Sequence, residues 1–156
     1  MFAGVALSWS SLPLEMLERP DVARRAHERG GEREVQFLFR DRVPVLPVWH
    51  EGRLRLVAWG NPRRGGSKRL PCTGWTWLAT VEAGGWANSG AEPIDVPASM
   101  GLENGVWYQI REGVRGLLVT DETCVDRIFL ICEPSTYYYR VMTRSDWMPV
   151  LIGERF

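Results

Sequence analysis

Short apolar segments with a two-residue periodicity, separated by turns rich in glycine and proline, recur along most of the chain. In the clearest of them, Arg53–Trp59, arginine and leucine alternate at the start, which is the pattern of a strand with one buried face. Seven more runs predict strands at residues 35–39, 43–49, 94–98, 106–112, 115–120, 127–133 and 148–152. So many short strands predict an α+β fold built mainly on a sheet, in one domain of residues 1–156.

Three segments carry helical signals. Residues 12–30 place apolar side chains at helical spacing, and Pro20 is expected to break or kink this helix. A short helix is predicted at residues 77–86. Another is expected to open at Pro134, because proline suits the first turn of a helix.

The cysteines and histidines are few. Three cysteines (Cys72, Cys124 and Cys132) at irregular spacing do not suggest a disulfide framework. His27 is read as a surface residue of the first helix and His50 as part of a hairpin turn. Because these residues do not make a zinc-binding pattern, we expect no metal and no cofactor.

The charge balance restricts how the protein can bind a polyanion. Nineteen basic and nineteen acidic residues give a formal net charge of zero, so any attraction to nucleic acid must be local. No stretch approaches the roughly 18 apolar residues of a membrane-spanning helix, and the first residues lack the basic and apolar regions of a signal peptide. The chain is therefore expected to be cytoplasmic, with no membrane partner.

One glycine-rich loop, predicted at residues 60–74, carries the densest basic patch in the sequence. Its basic residues are Arg63, Arg64, Lys68 and Arg69. Trp59, Trp75 and Trp77 flank the loop. Two interpretations stay open from the pattern: a solvated loop, or a rim that binds phosphates and stacks on bases.

Two carboxylates are candidates for acid–base chemistry. Glu103 and Asp146 both lie beside glycine or aromatic residues at expected loop ends, where side chains are presented to ligands. Either is equally typical of a turn or a helix cap. No nucleotide-binding, zinc-protease or nucleophile-elbow motif accompanies them.

Longer motifs are more informative than single residues. The segment RIFLICEPSTYYYRVMTRSDWMPVLI (127–152) runs from a strand into a helix and a final Met-Pro strand, and VPVLPVWHEGRLRLVAWG (43–60) is a hairpin ending in Trp-Gly. With ASMGLEN (98–104), they resemble, in that order, the HDRMPVIL ending, the PV…WG hairpin and the ADGFYEW motif of the SOS-response-associated peptidase (SRAP) family. Its members sense abasic sites in single-stranded DNA. The resemblance spans about residues 1–152. It implies one α+β domain with a strongly bent, mixed and mainly antiparallel sheet and a few short helices.

The resemblance also implies site positions. In that family an N-terminal cysteine forms a thiazolidine with the abasic aldehyde, assisted by an asparagine, a glutamate and a histidine. Phe2 stands at the cysteine position, Ser145 at the histidine, and Glu103 matches the glutamate. The asparagine falls on Leu78 or on Asn88, depending on the register.

Because a thiazolidine needs a sulfur and an amine on one residue, Phe2 argues against the crosslinking reaction. We therefore expect an SRAP-like protein of the DNA-damage (SOS) response that binds single-stranded or abasic-site DNA with little catalysis. The expected DNA contacts are Trp59, Arg63, Arg64, Lys68, Arg69, Arg144 and Trp147.

Two alternatives come from other functional classes. The first is residual lyase or peptidase activity, with the Met1 amine as nucleophile and Glu103 exchanging protons. The second is an interaction module that does not bind DNA. It is motivated by Tyr137, Tyr138 and Tyr139, because three consecutive helical residues cannot all face one core.

Overall fold

Strands dominate the computed structural model, which describes all residues from 1 to 156. In chain order the strands are β1 (Phe2–Ser8), β2 (Ala26–Arg29), β3 (Glu32–Leu38), β4 (Val45–His50), β5 (Arg53–Trp59), β6 (Trp75–Trp77), β7 (Glu92–Pro97), β8 (Met100–Glu103), β9 (Val106–Gln109), β10 (Gly113–Thr120), β11 (Asp126–Pro134) and β12 (Trp147–Pro149). The helices are α1 (Leu14–Leu17), α2 (Pro20–Ala23), α3 (Leu78–Glu82) and α4 (Tyr137–Thr143), with a 3-10 turn at Trp9–Ser11. These short helices beside extensive strands confirm the predicted α+β class.

The strands form two sheets. The first has the order β2-β3-β1-β8-β9 and is antiparallel throughout. The second has the order β10-β7-β4-β5-β11-β12, with β6 also paired to β11. Because β10 pairs with β11 as well as with β7, five strands of this sheet close into a ring. Only β5 and β6 run parallel to β11, so the second sheet is mixed and mainly antiparallel, as predicted. Its closure into a ring agrees with the predicted strong bend.

Both sheets contribute to one hydrophobic core. In β3, Val35 and Phe37 are fully buried on either side of the half-buried Gln36, which is the alternation of a strand with one core face. In β11, the six residues from Arg127 to Cys132 are buried in succession. That pattern identifies β11 as a central strand covered on both faces.

The predicted helix at residues 12–30 is wrong over its second half. Pro20 opens α2 at its first position and separates it from α1, so only two single turns of helix form. Gly30 and Gly31 adopt positive φ values of 58° and 84° and make the hairpin turn between β2 and β3. His27 therefore lies on a strand.

Strands β1, β2, β6 and β8 were not predicted. In β1 small residues weaken the apolar pattern. Close packing requires one of them, Gly4, because a Cβ at that position would lie 2.6 Å from Leu38 Cδ2. This strand is nevertheless central in the first sheet, and Val5 and Ala6 are fully buried. Its position determines where the amino terminus lies.

The last helix begins later than expected. Pro134 is the final residue of β11 and pairs with Trp147 of β12. Helix α4 starts after Thr136, whose side chain accepts a hydrogen bond from the Tyr139 N–H at 3.2 Å. The helix ends at Arg144 in a left-handed conformation, and the chain then returns along β11.

Candidate functional site

The amino terminus lies against a fully buried carboxylate. The β1–β8 register sets Phe2 opposite Glu103. The α-amino nitrogen of Met1 is 3.2 Å from Glu103 Oε2, and the Glu103 side chain is 0% exposed. An ammonium beside a buried carboxylate offsets part of the cost of removing that charge from water. The structure thus brings together the first residues and Glu103, two parts of the site that the resemblance implied.

Two tyrosine hydroxyls form a hydrogen-bonded chain that ends at the same carboxylate. Tyr139 donates a hydrogen bond to Glu103 Oε1 at 3.2 Å, and the Tyr108 hydroxyl is 2.9 Å from that of Tyr139. Glu103 Oε2 accepts no hydrogen bond, so the ion pair with Met1 is what compensates its charge. Burial raises the pKa of both tyrosines well above the ordinary value, so both hydroxyls stay protonated at neutral pH.

Phe2 is a core residue. Its side chain is buried and lies 6.4 Å from the Tyr108 ring, between centroids. Gly101 makes room for both rings, because a Cβ there would lie 2.8 Å from Phe2 Cε2. The Phe2 carbonyl accepts a hydrogen bond from Trp75 Nε1 at 3.0 Å. The position that the resemblance assigns to a nucleophile is therefore occupied by a packing group, and the nucleophile that lies beside Glu103 is the Met1 amine.

Cys132 does not replace the missing thiol. Burial raises its pKa to about 12, and the charge of Glu103 adds to that shift. The side chain is therefore a neutral thiol at physiological pH, and a neutral thiol is a poor nucleophile. Cys72 and Cys124 are exposed.

The two acid–base candidates have opposite environments. Glu103 was expected to be presented at a loop end, but it is the last residue of β8 and is wholly buried. Asp146 has a side chain that is 82% exposed, and it pairs with Arg140 on the surface at 3.3 Å. Only Glu103 is in a position to exchange a proton with the terminal amine.

The other positions implied by the resemblance do not join this cluster. Ser145 follows α4, is buried, and donates its hydroxyl to the Trp147 carbonyl at 2.8 Å. Leu78 opens α3 and is half-buried, whereas Asn88 is exposed in the turns that follow. Neither supplies an amide hydrogen bond to Glu103, so the carboxylate is hydrogen-bonded by a tyrosine rather than by an asparagine or a histidine.

The loop of residues 60–74 is fixed by its own hydrogen bonds. The buried Asn61 side chain accepts from the Ser67 N–H at 2.8 Å and donates to the Ser67 carbonyl at 3.0 Å. The Ser67 hydroxyl donates to Glu122 at 2.6 Å, and the Lys68 N–H donates to the same carboxylate at 2.8 Å. The Ser67 hydrogen bond lowers the pKa of Glu122, so this anchor is charged at neutral pH.

The four basic side chains of the loop all face solvent. Arg63, Arg64, Lys68 and Arg69 are exposed, and none belongs to an ion pair. Arg127 is different, because it is buried, pairs with Asp121 at 2.8 Å and donates to the Gly60 carbonyl at 3.1 Å. Arg127 thus anchors the start of the loop, while the four exposed cations remain available to a ligand.

The structure corrects the expected role of Trp59. This residue is buried, packs against Phe39 and Trp75, and donates its indole N–H to the Gly74 carbonyl at 3.1 Å. A base cannot stack on a ring enclosed in this way. Trp59 belongs to the core beneath the loop.

A different tryptophan pair offers an aromatic surface. Trp147 is half-buried and stacks on the exposed Trp77, with ring centroids 4.1 Å apart and planes inclined by 27°. Arg144, between α4 and β12, is exposed and has no ion-pair partner. The sequence did not single out Trp77 beyond its position beside the basic loop. The pairing depends on β6 and β12 both adding to β11.

The three consecutive tyrosines divide as helical geometry requires. Tyr139 is fully buried beside Glu103, whereas Tyr137 and Tyr138 are exposed. The buried hydroxyl of Tyr139 is a site residue that sequence reasoning missed. Its signal was the tyrosine run itself, but the run does not show which of the three faces the interior.

Comparison with models of known protein families, with curated proteins and with solved structures found no match. No helix has both the length and the apolar character needed to cross a membrane. No group of three or more histidine, cysteine or carboxylate side chains is arranged to hold a metal ion. The geometry of the Met1–Glu103 pair and of the 60–74 loop therefore carries the functional interpretation.

Proposed function

We propose that the protein is an SRAP-like DNA-binding protein that holds single-stranded or abasic-site DNA without forming a cysteine crosslink. The observation that carries this proposal is the 60–74 loop, which presents four unpaired cations from a backbone held by Asn61 and Glu122. On a protein with zero formal net charge, such a loop makes a local positive surface. The phosphates of a single strand are ligands that this kind of surface favours.

Two further features support a DNA-binding role. The stacked Trp77–Trp147 pair, next to Arg144, offers an aromatic face to an unpaired base. Base–aromatic stacking contributes about 1–3 kcal/mol per base. The Trp75 indole, one residue beyond the basic loop, hydrogen-bonds to Phe2 and so connects this loop to the amino-terminal pair. This hydrogen bond ties the end of the loop to the first residues of β1.

The salt dependence of binding tests this proposal. Fluorescence anisotropy would follow a labelled oligothymidylate of about 16 nucleotides between about 50 and about 200 mM salt. The triple variant Arg63→Gln/Arg64→Gln/Arg69→Gln should lower the logarithmic salt slope by about 2, since each single-strand phosphate contact contributes about 0.7.

A matched control removes three exposed arginines elsewhere. Arg53→Gln/Arg111→Gln/Arg115→Gln changes the net charge equally but leaves the loop intact. This control should keep the wild-type slope. Equal slopes for the wild type and the loop variant would reject the loop as the DNA surface.

A second candidate function is favoured by the Met1–Glu103 distance of 3.2 Å. The unprotonated amine can attack the aldehyde carbon of an abasic site, and Glu103 can accept the ammonium proton beforehand and return it to the departing water. The product is an imine. Borohydride delivers a hydride to its carbon and leaves a stable secondary amine that joins protein to DNA.

The chain simplifies the trapping experiment, because Lys68 is its only lysine. A Lys68→Arg variant therefore keeps one primary amine, that of Met1. It should still form a borohydride-trapped adduct with an abasic oligonucleotide, and Lys68→Arg/Glu103→Gln should form it at least about tenfold more slowly. An adduct that disappears in Lys68→Arg would assign the reaction to the loop lysine and exclude the terminal amine.

A further inference from the structure

A second group of arginines lines a concave surface away from the 60–74 loop. A cavity of about 590 Å³ lies between the end of α2, the β2–β3 hairpin and the segment that follows β3. Its charged and titratable lining residues are Arg24, Arg25, His27, Asp41 and Arg42. The cavity therefore has three guanidinium groups and a single carboxylate.

That carboxylate is already engaged. Asp41 accepts hydrogen bonds from Arg25 Nη1 at 3.1 Å and from the Leu38 N–H at 3.2 Å. Arg24 and Arg42 are exposed and belong to no ion pair, so two guanidinium charges in this cavity have no counter-charge. The cavity is thus suited to an anion.

Two acidic residues on the adjoining elements are also paired, and two others, Glu28 and Glu32, do not line the cavity. Glu34 lies opposite His27 across the β2–β3 pair, and it accepts a hydrogen bond from Arg29 at 2.7 Å. Asp21 on α2 pairs with Arg19 at 2.8 Å. These carboxylates do not balance the charges of Arg24 and Arg42.

One donor at the cavity wall lacks a partner. Arg25 uses Nη1 for Asp41 and Nη2 for the Val43 carbonyl, but its buried Nε makes no hydrogen bond. The two terminal nitrogens of Arg25 are thus engaged within the protein, so the cations of this cavity that are free to meet an anion are those of Arg24 and Arg42.

This cavity adjoins a second one at the base of the basic loop. A second cavity of about 470 Å³ shares Asp41, Arg42 and Val43 with the first, and Arg64 also lines it. Arg42 therefore stands between the two cavities. Together, Arg24, Arg25, Arg42 and Arg64 form what we call the arginine trough.

We infer that the arginine trough is an additional site for the phosphodiester backbone of single-stranded DNA, and that it continues the path of the strand from the 60–74 loop. The inference rests on the proposed function. The cations are spread over two cavities and three chain segments, so an extended polyanion can engage all of them, whereas a lone phosphate can reach only part of the set. The trough lengthens the occluded strand beyond what the loop alone would hold.

The test uses the same anisotropy titration with a labelled oligothymidylate of about 16 nucleotides. Arg24→Gln/Arg42→Gln should lower the logarithmic salt slope by about 1.4, for two lost phosphate contacts. Arg24→Lys/Arg42→Lys keeps both charges and should return the slope to near the wild-type value. Arg53→Gln/Arg115→Gln, with two exposed arginines outside both cavities, should leave it unchanged.

The outcomes separate this inference from the proposed function. A wild-type slope in Arg24→Gln/Arg42→Gln, together with a lowered slope in the loop variant, overturns the trough and leaves the loop as the binding surface. A slope that lysine does not restore overturns the trough as well, because charge would not be the cause. Absence of salt-dependent binding by the wild type rejects both proposals.

Discussion

The buried carboxylate of Glu103 has two direct partners and one indirect partner. It pairs with the Met1 amine, accepts a hydrogen bond from Tyr139 and, through that hydroxyl, is linked to Tyr108. A buried charge is strongly destabilising once a partner is removed. The same arrangement that makes Glu103 a candidate proton carrier therefore makes its neighbours important for stability.

Tyr139→Phe tests this environment. The substitution removes the hydroxyl that donates to Glu103, so it should lower the free energy of unfolding by about 1–3 kcal/mol, as measured by urea denaturation. Tyr138→Phe is the matched control on the same helix. Its side chain is 64% exposed, and the expected change is within about 0.5 kcal/mol. Equal stabilities for the two variants would show that the buried hydroxyl is energetically unimportant.

Single residues could be predicted from sequence only in part. The motif around Glu103 made it a candidate site residue, but its burial depends on pairing with β1, a strand whose small residues give it a weak apolar pattern. The enclosure of Trp59 was likewise not readable, because tryptophan occurs both in cores and on binding surfaces.

At the level of elements, Asp121 organises the turn between β10 and β11. Its Oδ1 accepts hydrogen bonds from the Thr123 N–H and hydroxyl and from the Val125 N–H, and its Oδ2 accepts one from Arg127. These bonds, that of the Thr123 hydroxyl above all, hold the pKa of Asp121 well below its usual range. The turn is therefore stabilised by the ionised carboxylate.

The lowered pKa of Asp121 determines how the stability of the fold depends on pH. A carboxyl whose pKa is lower in the folded state stabilises the fold above its unfolded value of about 3.9, and that contribution is lost as the pH falls. Asp121→Asn should therefore be less stable than wild type at pH about 7, and the difference should shrink toward pH about 2. Thermal unfolding followed by circular dichroism measures it. The control is Asp95→Asn, on the exposed face of β7, whose stability should change with pH as that of the wild type does. The same pH dependence in Asp121→Asn and the wild type would show that the ionised turn carboxylate does not stabilise the fold.

Glu122 fixes the basic loop. Removing it in Glu122→Ala deprives the Ser67 hydroxyl and the Lys68 N–H of their acceptor. Because trypsin cleaves after arginine and lysine in mobile segments, cleavage within residues 63–69 should become at least about tenfold faster. Glu82→Ala, an exposed carboxylate on α3, should not change the rate. An unchanged rate in Glu122→Ala would mean that the loop is held by other contacts.

Strands and turns could be predicted where neighbouring residues in the sequence determine their conformation. The β4–β5 hairpin follows from alternating residues and the Glu51-Gly52 turn, both at positive φ. The basic composition of the 60–74 loop was also visible. Its rigidity was not, because Ser67 meets Glu122 across 55 residues of sequence. In the region of residues 12–30, two glycines formed a hairpin turn where the helical spacing predicted a helix end.

At the scale of the whole molecule, the closed ring of strands determines where the loop projects. β5 and β6 both run parallel to β11, with Trp59 opposite Ile128 and Trp75 opposite Leu130. The 60–74 loop thus leaves and rejoins the sheet at neighbouring positions of one strand, which makes it a compact excursion with closely spaced ends. At the end of the loop, the Trp75 indole of the second sheet donates a hydrogen bond to the Phe2 carbonyl of the first sheet.

The proposed DNA surface is built on the 60–74 loop, which is tied through Trp75 to the first residues of β1. The most direct measurement is a ¹H–¹⁵N correlation NMR titration with an oligothymidylate of about 16 nucleotides. We expect shifts of backbone amides within residues 61–70 and at Phe2 and Ala3, with little change around Arg29 and Arg33 of the first sheet and around Arg111 after β9. Shifts confined to the surroundings of those three arginines, or no shifts at all at low salt, would reject the loop as the DNA-binding surface.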